Sequence, residues 1–375
     1  MQHAYKAEVK RLIPVLVVTI IVFLVGLSSS LVENVYSNHL YPYIALLLRS
    51  ISRHLPFPLG DLLYLLLIGF MLFHIFLIVK KAFHRKLIRQ DRVRIPVSLL
   101  RFLLILYIAF KLLWGLNYSR PPINNRLGIA DEKYNNKELI ALAELLIKNI
   151  NQIQNERNSN PAIKNKEYSI QELQSAAATS YAELAKRNDF FIYRQPVVKK
   201  VLNTWMITKI GLEGYYSPLS GEANLNMRIP AANLPFVTCH EIAHQLGIGR
   251  EDEANLVGYI CATNSHDLNF QYSGNYAVLK NVLFELRIKD PDRYATVAKK
   301  LNPGTKADYK KDRNFWMHYN SDMYLYMDVA LDSFLKLNNQ QKGIDSYQDI
   351  VIWLYNLHKR ELRHHDHPFK RRTSL

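Results

Sequence analysis

Residues 12–32 form an apolar run without a single charge, and a chain carrying such a run has to bury it or place it in a bilayer. As a helix rising 1.5 Å per residue, the run spans a hydrocarbon core of about 30 Å. Its basic flank, Lys6, Lys10 and Arg11, also suits a signal peptide. The run exceeds an ordinary signal core, however, and two further apolar segments follow, which favours a retained helix. Residues 59–79 are the second segment, with Asp61 near the start and His74 inside; residues 95–114 are the third. Arg101 and Lys111 lie close enough to the ends of the third for their long stems to reach polar interfaces.

The distribution of charge then sets an expected orientation. Lys80, Lys81, Arg85, Lys86, Arg89, Arg92 and Arg94 separate the second and third spans, whereas only Arg49 and Arg53 separate the first and second. Basic short loops stay cytoplasmic. The expectation is an inner-membrane, multi-pass protein with its N-terminus inside and everything after Trp114 outside, in the periplasm of a Gram-negative bacterium. The lipid bilayer is thus one expected partner.

The net charge of +16 does not imply nucleic acid. Much of it lies at residues 80–94 and 359–372, and no recognition helix, aromatic RNA-binding motif or Cys/His finger accompanies it, so no nucleic-acid partner is expected. Cys239 and Cys261 are the only cysteines, too few for a disulfide scaffold, and they leave the compartment open.

Composition changes near residue 115, which divides the chain into an anchor, 1–115, and one polar domain, 116–375. Residues 117–128, with Pro121 and Pro122, read as a linker. Leu139, Leu142, Leu145, Leu146 and Ile150 predict a helix over 137–156. Ser169 and Glu172 have capping-box spacing and open a second, to about 186. Residues 222–229 alternate polar and apolar, a strand pattern that Pro230 ends. Such a strand is either structural and buried or a sheet edge to which an extended peptide adds. Asn233, Leu234 and Pro235 start another helix, which stops at Gly247 or Gly249. Further helices are expected over 250–263, 276–288, 314–337 and 347–362. The fold class is a three-span α-helical transmembrane anchor plus a mainly α, α+β domain with a small sheet.

His240-Glu241-Ile242-Ala243-His244 carries the chemistry. Residues four apart share a helical face, so the two imidazoles can each approach one zinc ion to about 2.0–2.1 Å. Glu241 then reaches the zinc-bound water, removes its proton and delivers it to the leaving amine. The plain alternative is an ordinary helix with two polar-facing histidines. A third protein ligand is still needed. Glu251-Asp252-Glu253 opens the next helix after a glycine-containing turn, and Glu251 or Glu253 serves, the other remaining a favourable acid at a helix start. Asn255 shares a face with Glu251 and could orient a histidine. Cys239 reads as core packing, and His358, His364, His365 and His367 as a solvated basic tail.

Taken together, Gly214-Tyr215-Tyr216-Ser217-Pro218, Ser220-Gly221-Glu222-Ala223-Asn224, the histidine motif with Gln245-Leu246-Gly247, and Arg250-Glu251-Asp252-Glu253-Ala254-Asn255 resemble the bacterial DUF3810 family. Leu337-Asn338-Asn339-Gln340 and Gly343-Ile344-Asp345-Ser346-Tyr347 extend the likeness, which covers essentially the whole chain. The resemblance implies a zincin-like metallopeptidase domain, zinc at His240 and His244, catalysis by Glu241, and a glutamate ligand as in gluzincins, whose Glu-x-x-x-Asp/Asn pattern matches Glu251 and Asn255. The connection from His244 to this glutamate is shorter than in better-known gluzincins. The metzincin pattern fails, because its third histidine would fall at Arg250. Such enzymes also use a Tyr or His to steady the oxyanion, and Tyr347 is the candidate, with packing as the plainer reading.

The leading expectation is a zinc peptidase acting on peptide or protein substrates. A non-enzymatic envelope protein with a structural zinc site is the alternative, as is a zinc amidase acting on a cell-wall substrate.

Overall fold

Apolar length dominates the first part of the chain, and three long helices result. A computed structural model describes residues 2–164, 166–319, 322–338 and 350–366. Two compact units divide the chain: Met1–Pro121 with Ser217–Glu222, and Pro122–Tyr216 with Ala223–Leu375.

In the first unit, α1 (Gln2–Gly26), α2 (Tyr41–Ser52), α3 (Leu59–Phe83) and α4 (Asp91–Leu113) follow in order. Glu8–Gly26, α3 and α4 are long and apolar enough to cross a membrane. The first helix stops at Gly26, short of residue 32, and one α-helical turn (Ser29–Leu31) followed by a wider π-helical stretch (Val32–Leu40) leads into α2. Arg101 does not simply extend to an interface: its guanidinium lies 3.3 Å from the Glu8 carboxylate on the neighbouring α1. Residues 117–120, expected as part of a linker, are instead buried. Arg120 donates to both Glu33 oxygens at 2.7 and 3.1 Å, and the Ser37 hydroxyl donates to Asn117 Oδ1 at 2.8 Å, so polar pairing draws this segment in. The turn after Ser217 belongs to the same unit. Its Glu222 carboxylate accepts from the N–H groups of Leu59 and Gly60 at 3.0 and 2.8 Å, and from the Ser220 hydroxyl at 2.7 Å, satisfying donors that the start of α3 leaves open.

The second unit is mainly helical. Its first long helix, α5 (Asn136–Ser159), is opened by a reciprocal Asn135–Glu138 capping box and buries the five expected apolar residues. The next, α6 (Ile170–Ala185), has the Ser169–Glu172 box with both bonds formed. Three short strands follow: β1 (Val198–Lys200), β2 (Gly214–Ser217) and β3 (Glu222–Leu225), in the order β1-β3-β2. β1 runs parallel to β3, with Val198 opposite Ala223 and Lys200 opposite Leu225. The strand predicted over 222–229 is therefore shorter and lies in the middle of the sheet, so it cannot be the edge to which a peptide adds. All four of its residues are buried because it has a neighbour on either side. It ends where Asn226 turns its side chain back to accept from the Arg228 N–H.

Seven helices complete the described unit: α7 (Leu234–Gln245), α8 (Glu251–Thr263), α9 (Leu268–Lys289), α10 (Pro291–Ala298), α11 (Pro303–Tyr319), α12 (Asp322–Leu337) and α13 (Ile350–Asp366). One continuous apolar core joins α5, α6, the sheet, α7, α8, α9 and α13. Cys239 and Cys261 lie buried within it as free thiols. His358 is not a solvated tail residue: it is buried on α13, with its Nε2 2.7 Å from the Tyr259 hydroxyl.

Candidate metal centre

Helix α7 is fixed at several points, and this determines where its histidines stand. At its start the Phe236 N–H donates to the Ser273 hydroxyl at 2.9 Å. Asn233 does not cap it with a side-chain bond; its amide donates instead to Asp312 at 2.8 Å. Midway, the Tyr181 hydroxyl donates to the Cys239 carbonyl at 2.7 Å. At the far end Gln245 donates to the Val197 carbonyl at 2.9 Å.

The turn after α7 brings the third side chain into place. Gly247 adopts φ +84°, a left-handed conformation that costs glycine little, and its N–H bonds to the His244 carbonyl while the Ile248 N–H bonds to that of Ala243. Helix α8 then starts at once, with Glu251 as its first residue.

His240, His244 and Glu251 consequently meet. The two Nε2 atoms are 3.1 Å apart, and Glu251 Oε2 lies 3.2 Å from His240 Nε2 and 3.7 Å from His244 Nε2. A tetrahedral ion with bonds of about 2.0–2.1 Å needs ligand atoms roughly 3.4 Å from one another. The three residues therefore form a cluster that could hold a metal ion. His244 Nδ1 lies 2.7 Å from the Ile248 carbonyl, which makes Nδ1 the protonated nitrogen and frees the Nε2 lone pair. His240 Nδ1 is buried without a partner.

Glu253, the competing candidate, faces away: it accepts from the Ile123 N–H at 3.3 Å and lies 3.7 Å from Arg250. Asn255 is buried on α8. Tyr347 lies outside the described residues.

Electrostatics within the cluster reflect burial and close charges. Burial alone would raise the Glu251 carboxyl and lower His244, but each is the other's partner. The imidazoles hold Glu251 well below the usual carboxylate range, and Glu251, Glu241 and the Ile248 carbonyl lift His244 to about 9. Glu241 differs from Glu251. It is buried, its Oε2 has no hydrogen-bond partner, and its carboxyl is pushed up to about 7 by burial first, with Glu251 and Glu213 adding to the shift against the pull of the histidines.

Two residues at this site were not singled out from sequence as site residues. Gly214, the first residue of β2, comes so close that a Cβ there would sit 2.8 Å from Glu241 Oε1 and 3.0 Å from the Asn224 carbonyl. Glu213, just before it, is half-buried, and its charge interacts with those of His240 and Glu241. Gly214 belonged to a motif that carried the family likeness, but only the fold brings it against Glu241.

No curated protein and no solved structure matches the chain. The model of DUF3810, described as a protein of unknown function, matches residues 36–355, well over half the sequence. A chain matched along that length, with its histidine pair, Glu241 and Glu251 inside the match, belongs to the DUF3810 family.

Proposed function

We propose that this protein is a membrane-anchored zinc metallopeptidase, with His240, His244 and Glu251 holding the ion and Glu241 as general base. One observation carries the reading: three convergent ligand atoms, 3.1–3.7 Å apart, stand beside a buried carboxylate whose Oε2 has no partner. Two imidazoles and one carboxylate are the protein donors of catalytic zinc sites that keep a fourth position open. Bound there, zinc supplies a Lewis acid that polarises a substrate carbonyl and lowers the pKa of a water to about 7.

The remaining work falls to the chain. Glu241 Oε2 accepts the proton of the attacking water and returns it to the leaving amine. Burial pushes this carboxyl up in the metal-free protein, which favours its holding the proton between the two transfers. His244 keeps its Nε2 lone pair directed inward through the Nδ1 bond to Ile248. A zincin-like fold for the second unit is part of the same reading.

Three spans with the basic stretch 80–94 in the cytoplasm make up the anchor, and the peptidase unit acts outside.

The test uses the full chain in detergent. Stoichiometric zinc and cleavage of a peptide library are expected, with Glu241→Gln retaining zinc and losing hydrolysis. Unmutated protein that binds no zinc would overturn the reading.

A further inference from the structure

Between the first two candidate spans, helix α2 turns one face inward and leaves the other open. Tyr41, Ala45, Arg49 and Ser52 are buried, whereas Tyr43, Leu47 and Ile51 are 73%, 62% and 53% exposed. Residues at i, i+4 and i+8 share a helical face, so the open side is an apolar stripe, and the one charged residue of α2, Arg49, is on the buried side. Folded soluble chains rarely leave such a stripe to water.

The surroundings of α2 identify what covers the stripe. Just before the helix, the Tyr36 hydroxyl donates to the Leu112 carbonyl near the end of α4 at 2.9 Å. At the end of α1, a Cβ on Gly26 would stand 3.5 Å from Leu116 Cδ2, in the segment that directly follows α4. Across the helix, a Cβ on Gly221 would stand 3.1 Å from Leu48 Cβ and 3.2 Å from Arg49 Cγ, and the adjacent Glu222 holds the first N–H groups of α3. The close of α1, the close of α4 and the start of α3 therefore gather around α2, where all three membrane-crossing helices leave the apolar layer. At 12 residues, about 18 Å, α2 is too short to cross that layer itself.

Resting on the three-span anchor, we propose that α2 lies along the bilayer surface and seats Tyr43, Leu47 and Ile51 at the boundary between phospholipid headgroups and acyl chains. An apolar helix face enters that boundary by about 5–10 Å. Tyrosine suits it, since the ring is apolar and the hydroxyl stays wet. The turn that joins β2 to β3, packed on the buried side of α2, is thereby held at the lipid surface.

The full chain is reconstituted in vesicles of phosphatidylcholine and phosphatidylglycerol, with a nitrobenzoxadiazole label on Tyr43→Cys, Leu47→Cys or Ile51→Cys. Cys239 and Cys261 are buried, so the unmutated protein treated with the same reagent is the blank. Leu72→Cys, exposed near the middle of α3, and Lys148→Cys, exposed on α5, serve as lipid and water references. Phosphatidylcholine brominated near the carbonyl end of its acyl chains should dim all three α2 labels by on the order of two-fold, and more than phosphatidylcholine brominated near the methyl end. The Leu72 label should show the reverse order, and the Lys148 label should respond only to aqueous iodide. Labelled variants are compared where their thermal midpoints match that of the unmutated protein, and the three positions are independent of one another. Labels on α2 that iodide dims and bromine does not overturn the proposal, as do labels shielded from both, which a second copy covering the stripe would produce. Strongest dimming by the deep bromines also overturns it, placing α2 inside the apolar layer. A Leu72 label that neither lipid dims overturns the anchor itself.

Discussion

His244 Nδ1 and the Ile248 carbonyl oxygen lie 2.7 Å apart, so the turn that ends α7 also orients one of the candidate metal ligands. Gly247 makes this possible, because its φ of +84° directs the Ile248 carbonyl back toward the histidine. Gly247→Ala puts a Cβ into the left-handed region at a cost of about 1–2 kcal/mol. Metal affinity should fall by roughly 10- to 100-fold, as when a partner that orients a ligand is disturbed. Competition with a chromophoric chelator measures it; an unchanged affinity would show that the bond does not orient His244.

On the proposed metallopeptidase function, Gly214→Ala should separate metal binding from turnover. The new Cβ would stand 2.8 Å from Glu241 Oε1 and 3.0 Å from a backbone oxygen, so the Glu241 side chain has to move. A misplaced base costs on the order of 100-fold in kcat. Zinc content should be unchanged, since no ligand atom is among the contacts. Normal turnover in this variant would mean that Glu241 has room to spare.

The parts of this site readable in sequence are those set by local spacing. Residues four apart put His240 and His244 on one face; the Ser169–Glu172 box and the apolar spacing over 137–156 place the starts of two helices within a residue or two. Glu251 could be separated from Glu253 only once the helix was seen in place, where Glu253 is taken up by Ile123 and Arg250. Glu213 and Gly214 reach the site through strand order, which alternation along one segment does not encode. The same limit hid the central position of β3 and the burial of His358, whose partner Tyr259 is 99 residues away.

Glu222 should contribute to stability through the start of α3. Its carboxylate accepts three hydrogen bonds and is fully buried. In Glu222→Gln one acceptor oxygen becomes an NH2 facing donors, and an unsatisfied buried group costs about 1–3 kcal/mol. The thermal midpoint in detergent should drop by a few degrees, with zinc content unaffected. A midpoint equal to that of the unmutated protein would contradict the assignment.

His358 predicts a pH dependence whose sign follows from its surroundings. Burial beside Tyr259 holds the imidazole below its ordinary value of 6.5, and the Glu361 carboxylate at 3.3 Å offsets this only in part. The folded protein therefore binds fewer protons at this position than the unfolded chain once the pH drops below 6.5. Stability contributed by neutral His358 is complete above that pH and is lost as the pH falls toward the lower folded value. Glutamine offers the Tyr259 hydroxyl an acceptor but does not titrate. Thermal midpoints of the unmutated protein and His358→Gln, recorded from pH 7.5 to 5, should diverge in slope, the unmutated protein losing more on acidification. The comparison cancels the opposite contribution of His244, which is raised in the metal-free protein and favours folding at lower pH. Parallel slopes would show that His358 keeps its ordinary proton affinity in the fold.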